Sequence, residues 1–215
     1  MIAAPHPPPH ARETPPGRRQ RRAAETRERL LRAALALFAE RGYADVTVAD
    51  ITEAADVGKG TFFNYFPSKE HVLMAFGELQ VGKLAAALAR VRAGAGAAET
   101  LRGLPFVMAE EPGRSPKLIS SVFAAHYSND VVREMFARKQ AQGRAILKEI
   151  VRLGQKRSEI RSDADPAELA LGFQQSFFGT LVMWAMDPGV PLRKRLRATL
   201  RLATLGLTPR RSSRR

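Results

Sequence analysis

The 215-residue sequence predicts an all-α fold of about nine helices. Three observations carry this. Apolar residues recur at helical spacing in nearly every segment from Thr26 onward. No segment alternates convincingly with period two, as a half-buried strand would. Gly and Pro mark the breaks, at Gly42, "GAGA", "EPG", "DPG" and Gly206.

Taken in order, residues 1–24 form a Pro-rich, basic arm. Six of the 14 prolines fall in the first 16 residues, which predicts extended or disordered chain rather than a packed element. "GRRQRR", Gly17 to Arg22, leads into the first helical pattern at Thr26. There Leu30, Ala34, Leu37 and Phe38 share one face, and Arg41–Gly42 reads as a stop. Thr47 followed by Asp50 predicts a capped second helix, with Val48, Ile51 and Ala55 inward. Asp56 falls in a turn that often needs a left-handed backbone. Lys59–Phe66 is a third short helix, ended by Pro67. Ser68 caps a fourth, running to about Arg92.

The rest also reads as helix. Glu99–Glu111, interrupted at Pro105, is followed by Ser115–Tyr127, Asp130–Lys156, Pro166–Met186 and Pro191–Leu205. Residues 208–215 form a basic tail predicted to be disordered.

There is no cysteine, so neither disulfides nor thiolate chemistry are available. The start lacks the apolar run of a signal peptide. The longest mostly apolar run, Phe177 to Met186, is too short to span a bilayer. A cytoplasmic protein without a membrane partner is the expectation. The net charge is +14. Residues 1–24 carry five Arg and one Glu, and residues 208–215 carry four Arg. Residues 25–78 carry six basic and nine acidic side chains, a net −3. The balance suits a polyanionic partner; the alternative is a genome that favours Arg codons throughout.

The stretch "KGTFFNYFPSK", Lys59 to Lys69, is the most informative. At 100° per residue Phe62 and Phe66 fall together and point into the core. Asn64 lies nearly opposite, with Gly60 and Thr61 also outward and Phe63 and Tyr65 on the flanks. Two buried anchors with an outward amide, hydroxyl, ring edge and lysine make a recognition helix. Asn64 suits adenine and Lys59 suits guanine or phosphate; Thr61 and Phe63 suit thymine methyls. Tyr65, Thr47 and Lys69 are placed for phosphate. The alternative is a helical hairpin packed for stability alone.

"TRERLLRAALALFAERGYADVTVADITEAADVGKGTFFNYFPSKEHVLMAF", Thr26 to Phe76, resembles the DNA-binding domain of TetR-family transcriptional regulators. The resemblance implies a three-helix helix-turn-helix domain over residues 25–78. It also implies a helical effector-binding and dimerisation domain over residues 79–207. The implied DNA-contact positions are Thr47, Lys59, Gly60, Thr61, Phe63, Asn64, Tyr65 and Lys69. Three positions depart from the family's habit. Gly58 stands where Ser often caps the recognition helix, Phe63 where Tyr is commoner, and Asp56 where the turn often has Gly.

The resemblance implies a homodimer that reads a palindromic operator on double-stranded DNA and is released by a small effector. Arg18, Arg19, Arg21 and Arg22 are read as a flexible arm that offsets the acidic 25–78 segment beside the duplex. In Pro166–Met186, small residues Gly172, Ser176, Gly179 and Met183 run between two apolar stripes. They are assigned to the dimer interface together with Leu192, Leu196, Leu200 and Ala203. Effector candidates are Phe106, Met108, Phe123, His126, Tyr127, Phe136, Phe173, Gln174, Phe177 and Trp184, lining a site for a lipophilic molecule. Scattered His and no paired His/carboxylate spacing argue against an enzyme, a metal site or a cofactor. The alternative function is a basic architectural protein that coats DNA without reading sequence.

Overall fold

The computed structural model describes residues 17–208. Among them the chain is all-α, with nine α-helices and one short 3-10 turn, Pro112–Arg114. The helices are α1 (Arg18–Glu40), α2 (Val48–Ala54), α3 (Lys59–Tyr65), α4 (Lys69–Arg92), α5 (Ala97–Met108), α6 (Pro116–Ser128), α7 (Asp130–Lys156), α8 (Pro166–Met186) and α9 (Leu192–Leu207).

Several boundaries differ from the sequence expectation. Helix α1 begins at Arg18, not Thr26. The added turns are made of Arg, Gln and Ala, strong helix formers without an apolar stripe, so periodicity alone does not register them. Gln20 accepts a hydrogen bond from the Gly17 N–H (3.1 Å) and closes the first turn. The expected flexible arm is therefore helical from Arg18 onward; residues 1–16 of it lie outside the described residues, as do residues 209–215 of the tail. Pro105 does not interrupt α5 but lies buried inside it. Helix α5 starts early because the Glu159 carboxylate accepts from the Ala97 N–H (2.5 Å) and the Ala98 N–H (3.2 Å). That cap arrives from the end of α7, across the fold. Ser68 occupies the N-cap of α4, but its hydroxyl donates to the Glu70 carboxylate (2.5 Å) instead of accepting from the helix backbone. Gly206 lies within α9 rather than ending the last helix.

Two hydrophobic cores meet along α4. The first joins α1, α2 and α3 to the start of α4 through Leu30, Phe38, Ile51, Phe62, Phe66 and Val72. It is completed by Leu118, Ala125, Val132 and Met135 of α6 and α7, from outside the 25–78 segment. The second gathers Leu84, Leu88, Val91, Leu101, Ile150 and Leu196 with their neighbours. Helix α4 is thus long and apolar, with a mean hydropathy of 1.4 over its best 18-residue window. By length and composition alone it would pass for a membrane span, which the sequence reading did not notice. Many of its apolar residues lie in the two cores, Val72, Leu73 and Phe76 in one and Leu84, Leu88 and Val91 in the other.

Gly154 of α7 marks a close contact between α7, Ile160 and α5. A Cβ there would lie 2.6 Å from Ile160 Cδ1 and 2.9 Å from both Ile160 Cγ1 and Ala97 Cβ. We expect Gly154→Ala to destabilise the fold by about 1–3 kcal/mol in urea unfolding, the usual cost of overpacking. A neutral result would mean that the α5–α7 contact is looser than its geometry.

Candidate nucleic-acid interface and cavity

Helices α2 and α3 are positioned by local chemistry. Thr47 and Asp50 form the expected capping box: Thr47 Oγ1 accepts from the Asp50 N–H (3.2 Å). The Asp50 carboxylate accepts from the Thr47 N–H (2.7 Å) and the Thr47 hydroxyl (2.5 Å). These bonds, the hydroxyl's first, and the nearby Arg41 hold the Asp50 carboxyl below its ordinary range. Between the helices Asp56 has φ 51°, the left-handed turn that the sequence suggested. Gly58 precedes α3 without a side-chain cap.

Helix α3 is held by its two inward rings. Phe62 is 0% exposed and Phe66 1%, with centroids 5.6 Å apart. The Arg27 guanidinium of α1 sits 5.3 Å from the Phe66 ring centroid. On the opposite side Lys59, Gly60, Phe63 and Asn64 are exposed, while Thr61 and Tyr65 are half-buried. Phe63 is 54% exposed, large for a ring with only an edge contact to Phe62 at 5.4 Å. A Cβ on Gly60 would meet nothing within 4 Å, so the chain's own packing does not require glycine there. The face is low and offers an amide, a hydroxyl and an ammonium, a set able to bond base edges and phosphates.

Lys69 departs from its expected phosphate role. Its ammonium donates to the carbonyls of Tyr43 (2.7 Å) and Val46 (2.8 Å) and lies 4.2 Å from the Tyr43 ring centroid. It ties α4 to the α1–α2 loop. Burial pulls its pKa down, opposed by the charges of Glu70 and Asp45. Beside it the Tyr43 hydroxyl donates to Glu70 (2.8 Å). Burial first, then that bond and the Glu70 charge, raise the Tyr43 pKa well above its usual value. Thr47 stands exposed at the start of α2, but its hydroxyl proton and N–H are both committed to Asp50. Arg18, Arg19, Arg21 and Arg22 are exposed on the first turns of α1.

The second feature is a cleft, partly open to solvent, among α4, α5, α6, α7 and α8, with a cavity volume of about 130 Å³. Six of the ten effector candidates line it: Phe123, Phe173, Gln174, Phe177, Met108 and Phe136. Four do not. Tyr127 is 76% exposed on the outside of α6, and Trp184 is packed in the second core. Phe106 lies under the Arg193 guanidinium, 5.4 Å from its centroid. His126 packs against Phe136 (4.9 Å) behind the wall, its Nδ1 buried and without a partner. The sequence reading missed the contribution of α4, including Phe76 and Gln80, and of Lys139 on α7. Two signals could have found them: the unusual apolarity of α4, and a lysine one turn from Phe136.

A third feature is the outer face of α8 and α9. Gly172, Gly179 and Met183 are exposed and Ser176 half-buried, as an interface stripe requires. Leu192, Leu196 and Leu200 are instead buried within the chain, at 6%, 1% and 8% exposure, against α5 and α8. Helix α9 carries two apolar faces, and these leucines form the inner one. The outer face is Leu202, 74% exposed, and Leu205, 71% exposed, with Ala203 half-buried beside them.

Comparison with known proteins bears on these features. The family model for bacterial regulatory proteins, tetR family, matches residues 30–76. The chain is 48% identical over 68 residues to the transcriptional regulator TcmR of Streptomyces glaucescens, covering 31% of this chain and 30% of that protein. It is 47% identical over 51 residues to the repressor KstR of Rhodococcus jostii, covering 24% of each. These matches thus span under a third of the curated relatives' lengths. Thermus thermophilus FadR, a repressor of the same family solved with lauroyl-CoA, matches at 30% identity with a TM-score of 0.62. That match covers 88% of this chain and 98% of FadR.

The capping box gives a direct test of how α2 is held. Thr47→Ala should destabilise the protein by about 1 kcal/mol in urea, the usual worth of an N-cap. Because the folded Asp50 pKa is lowered, its contribution is present above the ordinary Asp range and is lost as pH falls through the folded value. Asp50→Asn should therefore flatten the acid side of the stability–pH curve; an unchanged curve would show that the box carries no stability.

Proposed function

As this chain belongs to the TetR family of transcriptional regulators, we propose that it acts in the cytoplasm as a homodimeric repressor. In this reading it binds a palindromic operator through α2 and α3 and leaves it when a small lipophilic effector fills the cleft. The observation that carries the reading is the orientation of α3. Phe62 and Phe66 are sealed in the core, and Asn64, Thr61, Gly60 and Lys59 occupy the opposite side. Such a helix enters a major groove with its polar face toward the base edges, and two of them read half-sites about 34 Å apart.

The dimer uses the exposed small stripe of α8 and the outer leucines of α9. An isologous pairing of these two helices with their copies buries Met183, Leu202 and Leu205, which otherwise face water. The effector enters a cleft walled mainly by phenylalanine, methionine, leucine, valine and isoleucine, with Lys139 its one charged residue among the described ones. The lauroyl-CoA of Thermus thermophilus FadR supports a long-chain acyl compound as the first class to try.

The cleft and α3 are joined by short mechanical links. Ser121 of α6 accepts from the Tyr43 N–H (2.9 Å), Ser115 donates to the Ala39 carbonyl (2.8 Å), and Lys117 donates to the Glu40 carbonyl (2.8 Å). Helix α6 therefore grips the end of α1 while Ile119, Val122 and Phe123 line the cleft. A second path runs from Lys139 to Glu78 (3.9 Å), to Arg27 (3.3 Å), and on to the Phe66 ring. An effector that moves α6 or α7 acts on the helices carrying α3, and its leverage equals its differential affinity for the two states.

Two measurements test the reading. Selection from a random DNA pool should yield a near-palindromic site, and Asn64→Ala should lower the preference for it by about 1–3 kcal/mol, the worth of one base contact. Equal affinity for selected and random DNA, with a steep salt dependence, would instead mark an architectural protein. Leu202→Glu combined with Leu205→Glu should sediment as a folded monomer at micromolar concentration; a persistent dimer would move the interface elsewhere.

A further inference from the structure

We propose that Gln80 is the acceptor that selects the effector, so that the cleft takes an apolar molecule carrying a neutral hydrogen-bond donor, a hydroxyl or N–H. The proposal rests on the cleft being the effector site. Gln80 lies on α4 in the cleft wall. Its Nε2 faces the Glu111 carboxylate at 3.4 Å. Glu111 is itself held by the Lys83 ammonium, which also donates to the Val107 carbonyl (2.7 Å). A carboxylate can only accept, so the amide must keep its NH₂ end toward Glu111. Flipping it would set two oxygens against each other.

The amide oxygen is left behind. Gln80 Oε1 is sealed from water and has no hydrogen-bond partner. Folded proteins rarely leave a buried acceptor in that condition without a reason. No donor of the neighbouring wall, Lys139 and Gln140 included, bonds it. The Gln174 amide is already satisfied, accepting from Arg144 (3.2 Å) and donating to the Gln140 carbonyl (2.9 Å). Most of the wall is hydrocarbon or aromatic. The Glu111 contact is long, so a small rotation of the side chain turns Oε1 to an incoming donor at little cost. A hydrocarbon of the same shape leaves that oxygen unpaired, and the site discriminates against it. His126 Nδ1, the other buried side-chain atom without a partner among the described residues, belongs to a side chain outside the cleft lining.

The test uses two probes of nearly one shape, 4-hexylphenol, which has an O–H, and 4-hexylanisole, which does not. Titration calorimetry with the full chain should show the phenol binding about tenfold more tightly, the effect of satisfying one buried acceptor. Gln80→Leu should abolish that preference while keeping the anisole affinity. Equal affinities in the unaltered protein, or a phenol preference that survives Gln80→Leu, would overturn the role of Gln80 and leave the cleft as the effector site. Binding of neither probe would overturn both. The comparison in the unaltered protein decides the matter even where the variant folds poorly.

Discussion

The burial of two phenylalanine rings, one on a seven-residue helix and one at its C-cap, is the constraint from which the rest of the molecule follows. Helix α3 is too short to be stable alone. It exists because Phe62 and Phe66 complete a core that α1, α2 and α4 begin. Fixing those rings fixes the rotation of the helix, and with it the direction of Asn64 and Thr61. The outward residues carry no stability of their own to offer, since their polar atoms face water. Their identity is therefore open to selection for a partner, whereas that of Phe62 and Phe66 is not.

The same core extends beyond the first three helices. Leu118, Ala125, Val132 and Met135 lie in it, yet they belong to α6 and α7, which also wall the cleft, Val132 and Met135 among the lining residues. Packed interiors have few alternative arrangements, so a displacement of α6 is felt at the end of α1 rather than absorbed. The hydrogen bonds between Ser115, Lys117 and Ser121 and residues 39–43 act in the same direction. Lys69 adds a clamp between α4 and the loop before α2. A residue that looks like a phosphate ligand in sequence is used to hold the two halves of the first core in register.

Local signals in the sequence were legible and distant ones were not. The capping box of Thr47 and Asp50, the left-handed Asp56 and the inward pair Phe62 and Phe66 depend on neighbours within a few residues, and each appears in the structure as read. The early start of α5 depends on Glu159, some sixty positions away, which no periodicity reveals. The assignment of Leu192, Leu196 and Leu200 to the dimer failed for a related reason. An amphipathic stripe shows that a face is buried, not what buries it. Helix α9 has two such faces, and the stronger one belongs to the chain's own core. The cleft was half legible, because aromatic residues on α6 and α8 announce a buried site but do not say on which side of the helix the space lies. Phe123 and Phe177 face it; Tyr127 and Trp184, close by in sequence, do not.

Charge sharpens the picture of how such a helix would meet DNA. The segment 25–78 is net −3, and one of its six cations, Lys69, is turned inward. Of the outward residues on α3, Lys59 alone is cationic. Attraction for phosphates must then come largely from elsewhere in the chain, and the nearest dense source in sequence is the arginine run at the start of α1. A flexible arm would lose conformational entropy on docking, which offsets part of its electrostatic gain. The structure has those arginines on helical turns continuous with a helix anchored by Leu30, Leu31 and Phe38. Ordering them on DNA costs side-chain freedom but little backbone freedom. Were Arg18, Arg19, Arg21 and Arg22 to meet phosphates, a helical extension of this kind would keep more of their electrostatic gain than an equally charged disordered tail.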